Sequence, residues 1–298
     1  MARLLLVHPL LLAESPAEQA SASPYFPLGL LSLAAYVRER GHDVHIYDGT
    51  FQPDRSTFDT ALAAVDPDVV GVSGVLPTRE AALDFAARSA AAGVPVIAGG
   101  PDPTAEPTAY LCGAVDVVVH HEGEQTITAL LDRFDQGELS AEHLRDEPGL
   151  AFLDPDGALV HTPTRPPIED LDALPDPARD LIDMERYLDA WEAEAGYRSM
   201  TVSVSRGCAR GCKWCAAGVH GDGYRERTPA DVAAEVKRLT ETYRIDRLRF
   251  VDDVDAMDRP WFDEWAAAAE ANGAAVAFEA LNDLERTDLP LLDVRDSL

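Results

Sequence analysis

The sequence predicts an α/β protein made of two units, an N-terminal doubly wound parallel sheet and a C-terminal partial parallel (βα) barrel. Short apolar runs alternate with helically spaced apolar residues over residues 3–134, at the pace of βαβ units. The same alternation resumes at residue 200, after a predicted hairpin and a proline-rich stretch. We therefore expect units at residues 1–137 and 200–298, joined by a hairpin and linker at 138–199.

Five apolar runs predict the strands of the N-terminal sheet, and sequences with helical spacing separate them. The strands are expected at residues 4–7, 44–47, 69–73, 95–98 and 115–119. The helices are expected at residues 28–40, 58–65, 79–92 and 126–134. Uninterrupted apolar runs are typical of parallel strands that are buried on both faces. The pattern predicts a flavodoxin-like sheet.

Ligands of doubly wound sheets bind at the carboxyl ends of the strands. Loops rich in glycine and small hydroxyl side chains follow those ends here, so a flat ligand could approach the backbone without meeting a Cβ. The residues concerned are Ser73, Thr78, Gly99, Gly100 and Gly123. An ordinary sheet whose glycines only make turns would explain the same pattern.

The C-terminal unit reads as the opening of a parallel barrel. Strands are expected at residues 200–205, 247–251 and 275–278, with helices at 229–243 and 261–272. Residues at the carboxyl ends of barrel strands carry the chemistry in this fold. Asp252 and Asp253 stand at such an end, although an aspartate pair could equally cap the helix that follows.

The barrel is short. From Cys208 to Leu298 there are 298 − 208 = 90 residues, enough for about three βα units. An open barrel would expose a strand edge and apolar interior side chains, which proteins normally cover. We therefore expect the edge of the last strand to be covered by the tail at residues 284–298, by a second copy of the chain or by a partner subunit that completes the barrel. The tail carries few apolar residues, so association is favoured, most simply as a homodimer.

Three of the four cysteines fall in one C-x3-C-x2-C loop directly after the predicted strand at 200–205: Cys208, Cys212 and Cys215. Three thiolates can hold three irons of a cubane cluster and leave one iron open. A Cys₃His zinc site with His220 is the rival interpretation. The fourth, Cys112, is expected to be a small buried hydrophobe at a helix end. Four cysteines are too few for a disulfide framework.

The cysteine spacing, with Trp214 at the usual aromatic position, resembles the signature of the radical S-adenosylmethionine (SAM) enzymes. The resemblance implies a [4Fe–4S] cluster on Cys208, Cys212 and Cys215, with SAM chelating the open iron. It also implies an electron donor for the cluster. Trp214 and one of Asp252 and Asp253 would contact SAM.

The first half resembles the cobalamin-binding domain that precedes the radical-SAM domain in one branch of that family. The resemblance rests on residues 25–30, 99–101 and 122–124, and residues 166–179 are similar to the branch's proline-rich inter-domain connection. It implies that the corrinoid lies across residues 73–78, 99–104 and 120–124. The contacts would be Ser73, Thr78, Gly99, Gly100, Pro101, Gly123 and Glu124.

This sequence departs from the family's pattern at two places. Asp102 stands where a histidine is common, and His120 and His121 replace a commoner Arg-Gly pair. The D-x-H-x-x-G motif is absent, so we expect no histidine ligand on cobalt. His120 and His121 are expected to be solvated loop residues rather than metal ligands.

Composition excludes some classes of partner. The formal net charge is −28, with 25 basic residues, which disfavours nucleic acid because phosphate binding needs basic patches. No apolar run approaches the ~18 residues of a membrane span. The N-terminal apolar run is too short for a signal peptide, so we expect a cytoplasmic protein without a membrane partner.

These observations favour a cobalamin-binding radical SAM-type protein that acts on a small-molecule substrate. The resemblance implies radical methylation at an unactivated carbon or related SAM-dependent radical chemistry, with methylcobalamin supplying the methyl group. Two alternatives remain open. One is a catalytically incomplete cofactor-binding subunit that needs a partner, and the other is a zinc-stabilised binding protein.

Overall fold

The N-terminal sheet has the predicted parallel core. The computed structural model describes residues 1–16, 19, 23–137, 141–208, 223–252 and 259–280. Five strands run parallel in the order β2-β1-β3-β4-β5, which confirms the flavodoxin-like sheet. They are β1 (Arg3–His8), β2 (Asp43–Asp48), β3 (Val69–Ser73), β4 (Val96–Gly99) and β5 (Val117–Val119).

Helices cover both faces of this sheet. Those that match the predicted positions are α1 (Leu28–Glu39), α2 (Thr57–Val65), α3 (Arg79–Ala91) and, further along, α6 (Glu124–Gln136). Two short helices, α4 (Pro101–Ala105) and α5 (Pro107–Leu111), follow β4; α4 occupies residues expected to form a loop, and α5 is the helix that ends next to Cys112. Proline opens each of them at the first helical position, where its missing N–H costs nothing.

Alternation along the strands sends side chains to two separate cores. One face packs against α1 and α6, and the other packs against α2, α3 and α5. The first face carries Leu4, Leu6, Val69, Ile97, Val117 and Val119. The second carries Leu5, Val7, Val70, Val72, Val96 and Val118. This double burial is why the strands read as uninterrupted apolar runs.

The predicted hairpin exists and extends this sheet. After the short helix α7 (Ala141–Leu144), strand β6 (Leu150–Leu153) pairs antiparallel with β5, and β7 (Leu159–His161) pairs antiparallel with β6. Asp154 closes the turn, since its Oδ1 accepts the backbone N–H groups of Asp156 (3.1 Å) and Ala158 (2.9 Å). The hairpin therefore forms the outer edge of the N-terminal sheet.

The linker contains a helix that the sequence reading missed, α8 (Met184–Ala195). Its buried residues Met184, Tyr187, Leu188 and Trp191 follow helical spacing. The Tyr187 hydroxyl lies 2.8 Å from an Asp48 carboxylate oxygen and 2.7 Å from the Thr50 hydroxyl. This helix therefore packs the linker against the edge of the N-terminal sheet.

The C-terminal unit is a three-stranded parallel sheet in the order β12-β11-β8. Its strands are β8 (Ser199–Val202), β11 (Arg247–Phe250) and β12 (Ala277–Ala280). A small antiparallel pair, β9 (Ser205–Arg206) and β10 (Arg225–Glu226), lies beside it. Helices α9 (Pro229–Thr242) and α10 (Arg259–Ala271) connect the parallel strands, as predicted.

The two faces of this sheet differ in polarity, which corrects one expectation. Met200, Val202, Leu248, Phe250 and Phe278 pack with the helices in one apolar core. The opposite face alternates with it and carries Ser199, Thr201, Arg247, Arg249 and Glu279. Arg249 and Glu279 lie 3.1 Å apart there. The expectation of an apolar barrel interior is therefore wrong over the described strands.

No helix within the described ranges is long and apolar enough to cross a membrane.

Candidate functional site

A cavity of about 710 Å³ opens at the carboxyl ends of β1, β3, β4 and β5. The first turn of α1 lines one side, and linker residues between Leu171 and Pro177 line another. Across from the sheet lie Ser203, Ser205, Arg206 and Gly207, which lead directly to Cys208. Both halves of the chain therefore contribute walls to one cavity of ligand size.

Most of the predicted cofactor contacts that the structure describes meet in this cavity. Those lining it are Ser73, Gly99, Gly100, Pro101, Gly123, Glu124 and Asp252. Thr78 does not line it. The Thr78 hydroxyl instead accepts the Val75 N–H at 3.4 Å and lies 3.2 Å from the Val75 carbonyl, so it closes a short turn after β3.

Cys208 is half-buried next to the cavity-lining residue Gly207. The remaining predicted residues of the cluster and SAM site lie outside the described residues; they are Cys212, Trp214, Cys215 and Asp253, together with the zinc alternative's His220. Within the described ranges, no group of three or more potential metal ligands is assembled.

Two glycines in the cavity wall leave space where a side chain would fit without meeting another protein atom closely. A Cβ on Gly29, in the first turn of α1, would meet no heavy atom within 4 Å. A Cβ on Gly99 would come no closer than 3.7 Å to the Val119 carbonyl oxygen. Glycine inside a helix costs about 1 kcal/mol relative to alanine. Its presence at position 29 fits a wall shaped for a large flat ligand, as a corrinoid is.

Gly100 is a glycine for a different reason. Its φ of +105° lies in the region that disfavours side chains. A Cβ there would also stand 2.8 Å from the Gly74 carbonyl oxygen. Gly100 therefore lets the loop after β4 pass close to the loop after β3.

His8 is a cavity residue that the sequence reading missed. It ends β1 on the same face as Leu6, and both residues line the cavity. Its Nε2 is buried and has no hydrogen-bond partner among the described residues. Burial lowers the pKa of His8, which keeps the imidazole neutral, although the nearby Asp48 carboxylate opposes that shift. Period-two alternation from Leu4 through Leu6 could have identified it.

Asp252 binds the segment that precedes the cysteines. Its carboxylate accepts the N–H groups of Val204 and Ser205, at 2.8 and 2.7 Å. The hydroxyls of Ser203 and Ser205 lie 2.9 and 3.2 Å from Oδ1. Burial raises the pKa of Asp252, while these hydrogen bonds act in the opposite direction. Four donors of the chain itself thus meet a carboxylate that was predicted to contact SAM.

Glu122 and Glu124 also reach this segment, from the carboxyl end of β5. Arg206 lies 2.5 Å from Glu124 Oε1 and 3.3 Å from Glu122 Oε1. Arg225 donates to Glu122 Oε1 at 2.9 Å and to the Ile168 carbonyl at 2.7 Å. All four charged side chains are largely buried. An ionic network therefore joins the N-terminal sheet, the linker and the cysteine-bearing segment.

A second buried carboxylate supports the same segment from α9. Glu235 is 1% exposed and lies 2.8 Å from Arg179 and 2.5 Å from Arg227. Arg227 also donates to the Ser203 carbonyl at 2.9 Å. The segment before Cys208 is thus held by ionic groups that follow β5 and β11 in the chain and by Glu235 of α9.

Asp102 has a structural role. Its carboxylate pairs with the Arg79 guanidinium at 2.7 and 2.5 Å and accepts the Tyr110 hydroxyl at 2.6 Å. Arg79 lowers the pKa of Asp102, although burial works against it. The departure from the family's histidine therefore creates an ion pair between α3 and α4, in which the carboxylate is buried and the guanidinium is partly exposed.

His120 and His121 have different surroundings. His121 adopts a φ of +59° and lines the cavity. His120 is half-buried and its ring stacks on His161 at 5.4 Å. Burial lowers the pKa of His120 to about 4, with smaller effects from His161 and His121. The expectation that His120 is a solvated residue is therefore wrong.

Cys112 is exposed, and the expectation of a buried thiol is also wrong. Leu111 points into the core at the end of α5, and Cys112 follows it on the solvent side. Helical spacing places adjacent residues about 100° apart, so only one of the two can face the core.

Fold and cavity define a two-part α/β protein with a ligand-sized cavity between a doubly wound sheet and the start of a parallel barrel. Residues 19–131 match the model of the B12 binding domain, and residues 202–287 match that of the radical SAM superfamily. The chain therefore belongs to the cobalamin-binding radical SAM family. These two domains imply three cofactors, namely cobalamin, a [4Fe–4S] cluster and SAM.

Curated relatives carry related names. An uncharacterized methyltransferase of Pyrococcus horikoshii is 33% identical over 240 residues, which is 78% of this chain and 50% of that protein. The anaerobic magnesium-protoporphyrin IX monomethyl ester cyclase of Rubrivivax gelatinosus is 28% identical over 246 residues, covering 80% and 43%. The chain thus spans about half the length of the curated relatives it matches.

Solved structures agree on the fold. The cobalamin-dependent SAM radical enzyme OxsB superposes with a TM-score of 0.77 at 16% identity, over 93% of this chain and 38% of OxsB. The radical SAM methyltransferase TsrM from Kitasatospora setae gives 0.66 at 20% identity, over 91% and 50%. At these identities the likeness establishes the architecture alone.

Proposed function

We propose that this chain is a cobalamin-dependent radical SAM enzyme of the methyltransferase type that acts on a small molecule. The observation that carries the proposal is the shared cavity. The strand ends of the B12-binding half and the segment leading to Cys208 face the same space. A corrinoid on the strand ends and a cluster on the cysteine loop would therefore lie side by side.

Cys208, Cys212 and Cys215 would hold the cluster, leaving one iron open for SAM. When bound, the three cofactors supply an organic radical and a transferable methyl group. The corrinoid would rest against Ser73, Gly99, Gly100, Pro101 and Gly123, where small side chains leave room for it. Gly29 and His8 would be further contacts from α1 and β1.

For SAM, the hydrogen bonds of Asp252 shift the proposed contact to its neighbour. The Asp252 carboxylate already accepts four donors of its own chain. Asp253 is therefore the better candidate for the SAM amino group, with Trp214 beside the cluster. Asp252 would contribute indirectly, because it holds the segment that carries Cys208.

The names of the relatives leave the reaction class broader than methylation. They include methyltransferases as well as an anaerobic cyclase. Radical methylation of an unactivated carbon is the leading proposal, and related SAM-dependent radical chemistry is its nearest alternative. The substrate is proposed only as a small molecule that reaches this cavity.

A catalytically incomplete cofactor-binding subunit is the second candidate, and one observation favours it. Within the described residues, β12 pairs with β11 alone, and its Ala277 and Ala280 are exposed. A partner subunit or a second copy would cover that edge. Light scattering tests this proposal, because a monomer at all concentrations, without a co-purifying protein, would contradict it.

Production of 5′-deoxyadenosine from SAM tests the enzyme proposal. The purified chain, reduced anaerobically, is incubated with SAM, and the nucleoside is quantified. A product that depends on all three loop cysteines supports the enzyme. A protein that binds cobalamin and the cluster but forms no 5′-deoxyadenosine would instead be the incomplete subunit. Zinc in place of iron would support the zinc-stabilised binding protein.

A further inference from the structure

Arg206 occupies a central position between the two cofactor-binding halves. It lies two residues before Cys208 and ends the short strand β9. Its guanidinium reaches 82 residues back in sequence to Glu124 Oε1, at 2.5 Å. Glu122 Oε1 stands 3.3 Å from the same guanidinium and also accepts from Arg225, at 2.9 Å. Cys208, the one cysteine of this loop among the described residues, therefore lies two residues from a contact with the segment that follows β5.

Burial makes this link geometrically demanding. The side chains of Glu122 and Glu124 are 6% and 7% exposed, and those of Arg206 and Arg225 are 13% and 8% exposed. Charges removed from water need close partners, so alternative positions of Arg206 would leave a carboxylate buried without its cation. The network therefore favours one placement of the segment before Cys208.

The linker participates through its backbone. The Ile168 N–H donates to Glu122 Oε2 at 2.7 Å, and the Ile168 carbonyl accepts from Arg225 at 2.7 Å. Glu122 thus binds the linker, β10 and the cysteine-bearing segment together. Glu122, Glu124 and Arg206 line the cavity, beside the strand end where the corrinoid is proposed to rest.

We propose that Arg206 is a positioning residue that fixes the cluster loop against the cobalamin pocket, with Glu124 and Glu122 as its anchors. The inference rests on the proposed function, because it concerns where the cluster stands relative to cobalt. It also gives Glu124 a role other than contact with cobalamin. Loss of either partner would let the loop move relative to the corrinoid.

Hydrogen–deuterium exchange on the purified full-length protein tests the link itself. The variants are Arg206→Met and Glu124→Gln, the second of which preserves side-chain shape. Arg238→Met is the matched control, because its ion pair with Asp176 is exposed. We expect backbone amides around residues 203–208 to exchange about tenfold faster in both variants, and unchanged in the control. Unchanged exchange in both variants would overturn the proposal.

Electron paramagnetic resonance tests the positioning role. Magnetic coupling between Co(II) and the reduced cluster depends on their separation. We expect it to weaken or broaden in Arg206→Met and Glu124→Gln, and to be partly restored in Arg206→Lys, which keeps the charge. Wild-type coupling in both variants, with faster exchange, would show a merely structural link and overturn the proposal.

Cobalamin titration separates the anchor role of Glu124 from direct contact. A positioning role predicts that Arg206→Met and Glu124→Gln change cobalamin affinity by less than threefold and to the same extent. A large loss confined to Glu124→Gln would assign Glu124 to the corrinoid and overturn the proposal. Absence of cluster and cobalt from the wild type would defeat the proposed function, while the exchange measurement would still decide whether the link exists.

Discussion

The Asp252 carboxylate accepts the Ser205 N–H at 2.7 Å, and so ties the end of β11 to the segment that leads into the cysteine loop. Together with the bond from Val204 at 2.8 Å, this places two backbone donors on one buried side chain. The position of Cys208 thus depends on a residue 44 positions later in the sequence (252 − 208).

Replacing Asp252 tests that dependence. In Asp252→Asn the amide oxygen at the Oδ1 position can still accept both backbone N–H groups, but the amide nitrogen replaces Oδ2, which lies 3.0 Å from the Val204 nitrogen. A buried N–H donor then faces another donor and has no acceptor there. We expect the free energy of unfolding to fall by about 1–3 kcal/mol, since an unpaired buried donor costs that much. Chemical denaturation measures it. The exposed substitution Asp176→Asn is the control, and equal stability of Asp252→Asn and wild type would contradict the role.

Filling the space at Gly29 separates ligand binding from folding. In Gly29→Leu the new side chain meets no protein atom at its Cβ but projects from a residue that lines the cavity. We expect thermal stability without ligand to be equal or higher, by up to about 1 kcal/mol, because leucine favours helix over glycine. Cobalamin affinity should fall at least tenfold, measured by absorbance titration.

The matched control adds leucine to a helix away from the cavity, in Ala63→Leu, where Ala63 is exposed on α2. This variant should bind cobalamin as the wild type does. Undiminished affinity in Gly29→Leu would show that the wall near α1 does not face the corrinoid.

His120 makes stability depend on pH. Its pKa is about 4 in the folded protein, below the ordinary value of 6.5, because burial disfavours its charged form. The unfolded chain therefore binds more protons between those values, and its contribution to stability is present above pH 6.5 and is lost as pH falls towards 4. From pH 7 to pH 5 we expect the contribution to fall by about 1 kcal/mol, after discounting for partial exposure.

Denaturation of wild type and His120→Gln at several pH values measures this difference. His143→Gln is the control, because His143 is exposed on α7. A stability difference between wild type and His120→Gln that does not vary from pH 7 to pH 5 would contradict the prediction.

Cobalt is expected to lack a protein histidine ligand, since the sequence has no D-x-H-x-x-G motif. The structure makes this prediction sharper, because the neutral imidazole of His8 lines the cavity. Electron paramagnetic resonance of the Co(II) form reports nitrogen ligands through hyperfine splitting. We expect none from protein, and the same spectrum in His8→Asn. A splitting that disappears in His8→Asn would identify His8 as the ligand.

Local sequence patterns were sufficient to predict the framework. Apolar runs such as the buried Val69, Val70 and Val72 of β3 predicted the strands, since burial on both faces favours apolar residues at successive positions. The carboxyl ends of those strands then located Ser73, Gly99 and Gly123 at the cavity. Helix α8 was missed because residues 138–199 were interpreted only as a hairpin and a linker, although Tyr187, Leu188 and Trp191 carry helical spacing.

The ionic contacts could not be predicted in the same way. Arg206 and Glu124 are 82 residues apart, and no local pattern tells an arginine paired in the interior from one in water. Asp252 was recognised at a strand end, but its donors are backbone groups of another strand connection. The polar face of Arg249 and Glu279 was likewise hidden, because alternation fixes two faces without saying which one meets the helices.

The central claim is that this chain carries a cluster on the cysteine loop beside bound cobalamin. Metal analysis of anaerobically reconstituted protein tests it most directly, with Cys208→Ala, Cys212→Ala and Cys215→Ala beside the exposed control Cys112→Ala. The account predicts about four irons and one cobalt per chain in wild type and in Cys112→Ala. It predicts no cluster iron in each loop variant. One zinc per chain without iron or cobalt, or wild-type iron content in any loop variant, would contradict it.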